Sequence, residues 1–170
     1  MVLGESLMKF YWLKQSLVIL FLVLLAFIAN FNLVDPYLTM ENTLLKQLVI
    51  VVSVSLILFA CNQLLYNYAK NKNGFMQHPI WNKMFIILLV GLMISFVLFI
   101  ALFLTTPLQD LLSQHAWLMF LVVYYFLFFT NLFILSLVHK MMDSTLNVEK
   151  KLVMTWICSS LLIAIVLFMV

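Results

Sequence analysis

The sequence predicts an all-α integral membrane protein, a bundle of five transmembrane helices, from its composition and from the length of its apolar runs. Of its 170 residues, 66% are hydrophobic and only 9% are charged, and the mean hydropathy is +1.19. In an average soluble domain, about a quarter of the residues are charged. A chain this apolar lacks the polar side chains to cover its own surface, so we expect lipid to be its solvent.

Five apolar runs, each without a charged side chain, predict the five helices. They cover residues 16–34, 47–67, 84–106, 116–138 and 152–170. At the helical rise, about 20 residues cross the ~30 Å hydrocarbon core of a bilayer, so every run is long enough. The chain has only three glycines and three prolines and no linker-like stretch, so residues 1–170 are expected to form a single domain.

The distribution of lysines predicts the orientation of this bundle. The N-terminal segment carries two lysines, the second and fourth loops carry three each, the first loop carries one, and the third loop carries none. Because successive segments alternate between the two sides of the membrane, eight of the nine lysines fall on one side. Cytoplasmic segments carry the positive excess, which predicts an N-terminus inside and a C-terminus outside, in the bacterial cytoplasmic (inner) membrane.

A polar residue, Asn131, interrupts the very apolar fourth run. Its side chain carries two donors and an acceptor that hydrocarbon does not satisfy. The fourth run descends from the outside with its centre near Leu127, which places Asn131 roughly 6 Å inward of the midplane. Tyr124, seven residues earlier, shares its helix face, whereas Phe126, Phe129 and Phe133 are expected to include lipid contacts.

Three other runs offer polar or small residues at the depth of Asn131. These residues are Asn62 or Gln63 in the second run, Gly91 in the third, and Cys158 or Ser159 in the fifth. Polar side chains in lipid turn toward one another, and small residues let helices approach closely. The depth match therefore predicts a packing or binding cluster of these residues around Asn131 in the bundle interior.

No residue pattern predicts an enzyme, a metal site or a cofactor site. Predicted topology separates the three histidines, with His78 and His139 inside and His115 outside. His139 and Asp143 are one helical turn apart, but two ligands do not make a site, and we interpret them as solvated surface. Serines within the runs have no base at the same depth. All the basic charge is on lysine rather than arginine, which argues against nucleic-acid binding.

These observations favour a protein that works by contact rather than by chemistry. We expect a non-catalytic accessory, assembly or structural subunit of a larger membrane complex, whose partners are other membrane subunits or further copies of itself. Two alternatives stay open on the sequence. In the first, the chain is a membrane immunity protein against a pore-forming toxin or peptide. In the second, it is a small permease or lipid transporter that uses the polar cluster as its site.

Overall fold

The structure, a computed structural model, describes residues 2–28, 43–71, 75–142 and 147–169, and within these ranges the chain is helical without a β-strand. The elements in chain order are α1 (Val2–Ile28), α2 (Thr43–Asn71), a 3₁₀ turn (Phe75–Gln77), α3 (Trp81–Thr105), α4 (Leu108–Gln114), α5 (Ala116–Met141) and α6 (Val148–Met169). The prediction of an all-α fold is confirmed for the described residues.

Four of these helices, α2, α3, α5 and α6, are long enough and apolar enough to cross a membrane. They correspond to the second to fifth predicted runs. Helix α1 begins well before the predicted start of the first run, and its described apolar part is the shorter stretch Tyr11–Phe27. Residues 29–34 of the first predicted run lie outside the described residues.

Helices α2 and α6 form the most extensive helix pair of the bundle, and hydrogen bonds join them along their whole length. From one end to the other, the bonded pairs are Gln47 with the Leu167 carbonyl, Ser55 with Ser160, Asn62 with the Leu152 carbonyl, and Tyr66 with Glu149. Each step forward along α2 matches a nearly equal step backward along α6, so the helices are antiparallel. The steps on α2 span whole turns, which keeps the four polar side chains on one face.

Helix α5 packs against both α2 and α6 and completes a central group of three helices. Helix α1 lies against α2 and α5, because Gln15 Nε2 donates to the Leu64 carbonyl at 3.3 Å and the Tyr124 hydroxyl donates to the Leu22 carbonyl at 3.0 Å. Helix α1 is therefore a flanking element on this side of the central group.

Helix α3 flanks α5, and aromatic rings form much of their contact. The rings of Phe85 and Phe133 stack at a centroid distance of 5.0 Å, and the Phe126 ring meets Phe99 edge to face at 5.9 Å. Phe126 and Phe133, which were expected to include lipid contacts, therefore pack against α3 with part of each ring and stay partly exposed. Each of these helices is apolar on every side, so the sequence did not show which face α3 covers.

One end of the bundle collects most of the described lysines. Tyr66 meets Glu149 there, the Trp81 ring lies 5.4 Å from the His139 ring, and Lys151 Nζ lies 3.3 Å from His139 Nδ1. These contacts join the last turns of α2 and α5 to the first turns of α3 and α6. The lysines in these turns are Lys70, Lys83, Lys140, Lys150 and Lys151. We call this end of the molecule the lysine-rich end.

The tightly packed part of the molecule lies toward the lysine-rich end. A cluster of buried side chains there joins Leu65 on α2, Trp81 on α3, Leu135 on α5 and Leu152 on α6. Apart from Leu112 on α4, every buried residue that the structure describes lies near a helix centre or in the half toward this end. The opposite half of the bundle is held by fewer contacts and contains the more open helix surfaces.

Candidate functional site

Three polar side chains meet in the centre of the bundle, one from each central helix. Asn131 Nδ2 on α5 donates to Asn62 Oδ1 on α2 at 2.8 Å, and Ser159 Oγ on α6 donates to Asn131 Oδ1 at 3.2 Å. Asn131 and Ser159 are fully buried, and Asn62 is 6% exposed. We call these three residues the amide network.

The hydrogen bonds of the amide network form a chain in which each donor and its acceptor lie on different helices. Asn62 Nδ2 in turn donates to the Leu152 carbonyl at 3.2 Å, so the path that began on α6 returns to α6. A carbonyl bonded in this way accepts a second hydrogen bond beside its intrahelical one. Each amide oxygen and nitrogen of the network thus has at least one protein partner, as the hydrocarbon surroundings demand.

Gly91 and Cys158 do not join this network. A Cβ atom added to Gly91 would meet nothing within 4 Å, so no neighbouring helix approaches the backbone closely at that point. Cys158 is exposed, and its neighbour Ser159 takes the buried position instead. Consecutive helical residues point about 100° apart, so only one of the two can face Asn131.

Tyr124 and Gln63 lie near the amide network but make other contacts. The Tyr124 hydroxyl bonds to α1, as described above, and so ties the flanking helix to α5. Gln63 is partly exposed and lines a groove between α2 and α6. Neither side chain is hydrogen-bonded to Asn131 in the structure.

The sequence did not point to the buried position of Lys151, which is 2% exposed beside His139. His139 itself is partly buried, because Trp81 and Lys151 contact its ring, so it is less open to solvent than the sequence suggested. Asp143, its predicted neighbour, lies outside the described residues. A lysine at the start of an apolar helix looks like an interface anchor in sequence, so nothing there distinguished it from Lys150.

The polar residues that join α2 to α6 were also missed as a group. Gln47, Ser55, Asn62 and Tyr66 are separated by eight, seven and four residues, and these steps are close to whole helical turns. That spacing was the available signal. It marks a single polar stripe, and a polar stripe in a transmembrane helix turns toward another helix.

A second polar pair lies on the outside of the bundle, at the contact between α3 and α5. Ser95 Oγ and the Tyr125 hydroxyl are 2.8 Å apart, and Tyr125 is 43% exposed. Gly91 precedes Ser95 by one turn on the same face of α3, with open space where a side chain would be. We call Gly91, Ser95 and Tyr125 the hydroxyl notch.

Among the described residues, no three His, Cys, Asp or Glu side chains come together in a way that would hold a metal ion. No protein-family profile, curated protein or solved structure matches this chain.

Proposed function

We propose that this protein is a non-catalytic subunit of a larger complex in the bacterial cytoplasmic membrane, where it binds a transmembrane helix of another membrane protein at the hydroxyl notch. The observation that carries the proposal is the exposed pair formed by Ser95 and Tyr125. Two hydroxyl groups hold two hydrogens, and the bond between them uses only one. The other hydrogen has no acceptor among the described residues.

The position of this pair within α3 makes the missing acceptor costly. Ser95 lies two residues from the middle of α3, so the pair lies within about 3 Å of the centre of a membrane-spanning helix. Neither lipid tails nor water supply an acceptor at that depth. A partner helix supplies one through a polar side chain or an accessible carbonyl, and it gains a hydrogen bond of about 0.6 kcal/mol in the exchange.

Gly91 provides room for such a helix. Helix–helix contacts in membranes depend on small residues that let two backbones approach, and Gly91 and Ser95 form a small-x-x-x-small pair. Within this chain the space beside Gly91 is open. The partner helix would therefore cross α3 beside Gly91, where no other described helix of this chain covers the α3 backbone.

The uneven packing of the bundle also supports the hydroxyl notch as the surface that binds a partner helix. Gly91 and Ser95 lie at the boundary of the well-packed half, and beyond them the side chains of α3 from Phe96 to Thr105 are exposed, except that of Phe99, which is partly buried. Such exposure is normal for a lipid-facing helix, so it does not identify a partner by itself. It does leave a continuous apolar surface on both sides of the hydroxyl notch.

We further propose that the chain crosses the membrane five times, with the lysine-rich end in the cytoplasm. Four helices have the required length and composition, and the first predicted run begins within α1 and extends in the sequence to residue 34. Gln15 contacts Leu64 toward the lysine-rich end, whereas Leu22 contacts Tyr124 on the other side of the amide network, so α1 runs antiparallel to α2. This direction supports its assignment as a further span. Five lysines of α2, α3, α5 and α6 share the lysine-rich end, and only Lys46 of these four helices lies at the other end. Cytoplasmic segments carry such an excess of positive charge.

The partner is tested by extracting the tagged protein from its native membrane in mild detergent and measuring what co-purifies in stoichiometric amount. We expect one other membrane protein with the wild type. Ser95→Leu removes the hydroxyl pair and fills the notch, and Gly91→Leu fills the notch alone. Each substitution is expected to lower the co-purified partner at least about fivefold, because roughly 1 kcal/mol of helix packing and hydrogen bonding is lost.

Val97→Leu is the matched control, because Val97 is 61% exposed on the opposite face of α3 and the change also adds apolar volume. It should leave the amount of partner unchanged. The proposal fails if the wild type is strictly monomeric in mild detergent. It also fails if all three variants retain the partner equally. A second copy of this chain as the co-purified species would replace the heterologous partner with a homo-oligomer.

A further inference from the structure

A groove runs along the outer surface of the bundle where α2 packs against α6. It lies on a different side from the hydroxyl notch. It encloses about 380 Å³, which is within the range of small-molecule sites. Its lining residues are Phe59, Asn62, Gln63, Tyr66, Glu149, Leu152, Val153 and Trp156. Phe59 and Val153 are both more than half exposed, so the groove opens sideways, toward lipid.

The groove is apolar at its deep end. Phe59 and Trp156 close it there as an edge-to-face ring pair with centroids 5.9 Å apart. The indole N–H of Trp156 already donates to the Ser55 carbonyl at 3.0 Å. This end therefore has no free polar group on the indole and presents a hydrocarbon-like surface near the middle of the membrane.

The other end of the groove is polar and charged. It continues into a second cavity of about 310 Å³, lined in part by Tyr66, Lys70, Asn147 and Glu149. The Tyr66 hydroxyl donates to Glu149 Oε1 at 2.7 Å, and the Lys70 ammonium lies 5.7 Å from the Tyr66 ring centroid. Tyr66 is nine residues past Ile57, the middle of α2, which places this end about 13 Å from the midplane, near the edge of the hydrocarbon.

Between the two ends lies a side-chain amide that no described residue satisfies. Gln63 lines the groove, is partly exposed, and has no hydrogen-bond partner among the described residues. Six residues past Ile57, it lies about 9 Å from the midplane, still within hydrocarbon. An unpaired amide at that depth is costly, so an occupant that brings a hydrogen-bonding group to this point is favoured.

We propose that this groove binds one zwitterionic phospholipid with a primary ammonium headgroup, such as phosphatidylethanolamine, from the leaflet at the lysine-rich end. An acyl chain lies along the groove toward Phe59 and Trp156. The ester group of that chain lies toward Gln63, and the headgroup occupies the polar cavity. The site thus offers an apolar channel, an amide and a pair of opposite charges in the order in which a phospholipid presents its parts.

Charge complementarity selects the headgroup. Lys70 matches the phosphate, and Glu149, whose second carboxylate oxygen has no partner among the described residues, matches the ammonium. An anionic headgroup such as phosphatidylglycerol satisfies Lys70 but meets Glu149 as a like charge. Phosphatidylcholine carries the positive charge but has no N–H to donate to the carboxylate.

The test uses the full chain reconstituted in vesicles of equimolar dioleoylphosphatidylethanolamine, dioleoylphosphatidylglycerol and dioleoylphosphatidylcholine, then extracted in mild detergent, with native mass spectrometry of the retained lipid. We expect about one phosphatidylethanolamine per chain, at least fivefold above either other lipid. Glu149→Gln is expected to reduce that preference about fivefold, and Val153→Trp, which fills the open side of the groove, is expected to lower all retained lipid.

Lys150→Gln and Met154→Trp are the matched controls, because each changes an exposed neighbour that does not line either cavity. Both should retain lipid as the wild type does. Equal retention of the three lipids by the wild type would overturn the proposal, and so would the same loss in Lys150→Gln as in Glu149→Gln. A protein helix or a second copy of the chain retained in place of lipid would also overturn it. None of these outcomes depends on the partner proposed for α3.

Discussion

Asn131 brings two donors and one acceptor into the middle of the bundle, and its amide uses one donor and the acceptor on two different helices. Interhelical hydrogen bonds in membranes average about 0.6 kcal/mol, so the two bonds together contribute only about 1 kcal/mol. Removing the amide costs more than that, because the groups left behind are buried. Asn62 Oδ1 and the Ser159 hydroxyl would both lose their partner in surroundings without water.

Asn131→Leu is therefore expected to lower the free energy of unfolding by about 1–3 kcal/mol, measured by equilibrium denaturation in mixed detergent micelles. Combining it with Asn62→Leu should cost less than the two single changes added, because both remove the same bond. Asn82→Leu, at an exposed asparagine in the first turn of α3, is the control. A loss as large in the control, or strict additivity, would contradict the role given to the amide network.

The depth of these residues follows from the sequence, but their direction around each helix does not. Counting residues from a span centre gives depth at 1.5 Å per residue, and this placed Asn131, Asn62 and Ser159 in one layer. Apart from the polar stripe of α2, the helices carry too few polar residues to fix their rotation. That is why Gly91 and Cys158, at the same depth, were grouped with residues that they do not contact.

At the scale of elements, Trp81 holds the start of α3 in place through contacts on two sides. The Trp81 indole N–H donates to the Phe75 carbonyl at 2.7 Å, and its ring packs edge to face against Phe75 at 5.2 Å. The other side of the ring meets His139. A single side chain, 3% exposed, therefore joins the 3₁₀ turn, α3 and α5.

Trp81→Phe is expected to lower stability by about 1 kcal/mol, because the ring remains while the Phe75 carbonyl loses its donor. Trp81→Ala should cost about 3–5 kcal/mol, since the buried ring volume is lost as well. The same denaturation experiment measures both, and protease cleavage near the 3₁₀ turn should rise in the same order. Trp117→Phe, at a tryptophan that is 56% exposed, should have no effect on either measurement.

The helices themselves were largely predictable, because their length and apolar composition are imposed by the thickness of the bilayer. The second to fifth predicted runs match α2, α3, α5 and α6 closely. The early start of α1 was not predictable in this way, since its first two turns carry polar residues and resemble a segment in water. The ring packing between α3 and α5 was also hidden, because aromatic side chains suit both lipid and helix contacts.

At the scale of the whole molecule, the proposed topology has a direct test by labelling single cysteines in intact cells. Cys61→Ala and Cys158→Ala give a cysteine-free background, into which Glu5→Cys, Gln114→Cys, Met141→Cys or Met169→Cys is introduced. A membrane-impermeant maleimide should label positions 114 and 169 in intact cells. Positions 5 and 141 should be labelled only after lysis. Labelling of positions 5 and 169 under the same condition would contradict five crossings.

The packing of the whole molecule is uneven, and this was beyond the sequence. Buried residues gather toward the lysine-rich end. Packing depends on how side chains from different helices interlock, which requires the rotation of every helix. The groove between α2 and α6 and the hydroxyl notch arise from the same rotations, so neither was visible in the sequence.

The order of the helices in the chain also determines when the amide network is completed during biosynthesis. Helix α6 follows α2 and α5 in the chain, so the ribosome makes it after them. Until it arrives, Asn131 Oδ1 has no Ser159 to accept from and Asn62 Nδ2 has no Leu152 carbonyl to reach. The nascent protein therefore holds two amides with only each other as partners, and the packing of its final described helix supplies the remaining hydrogen bonds.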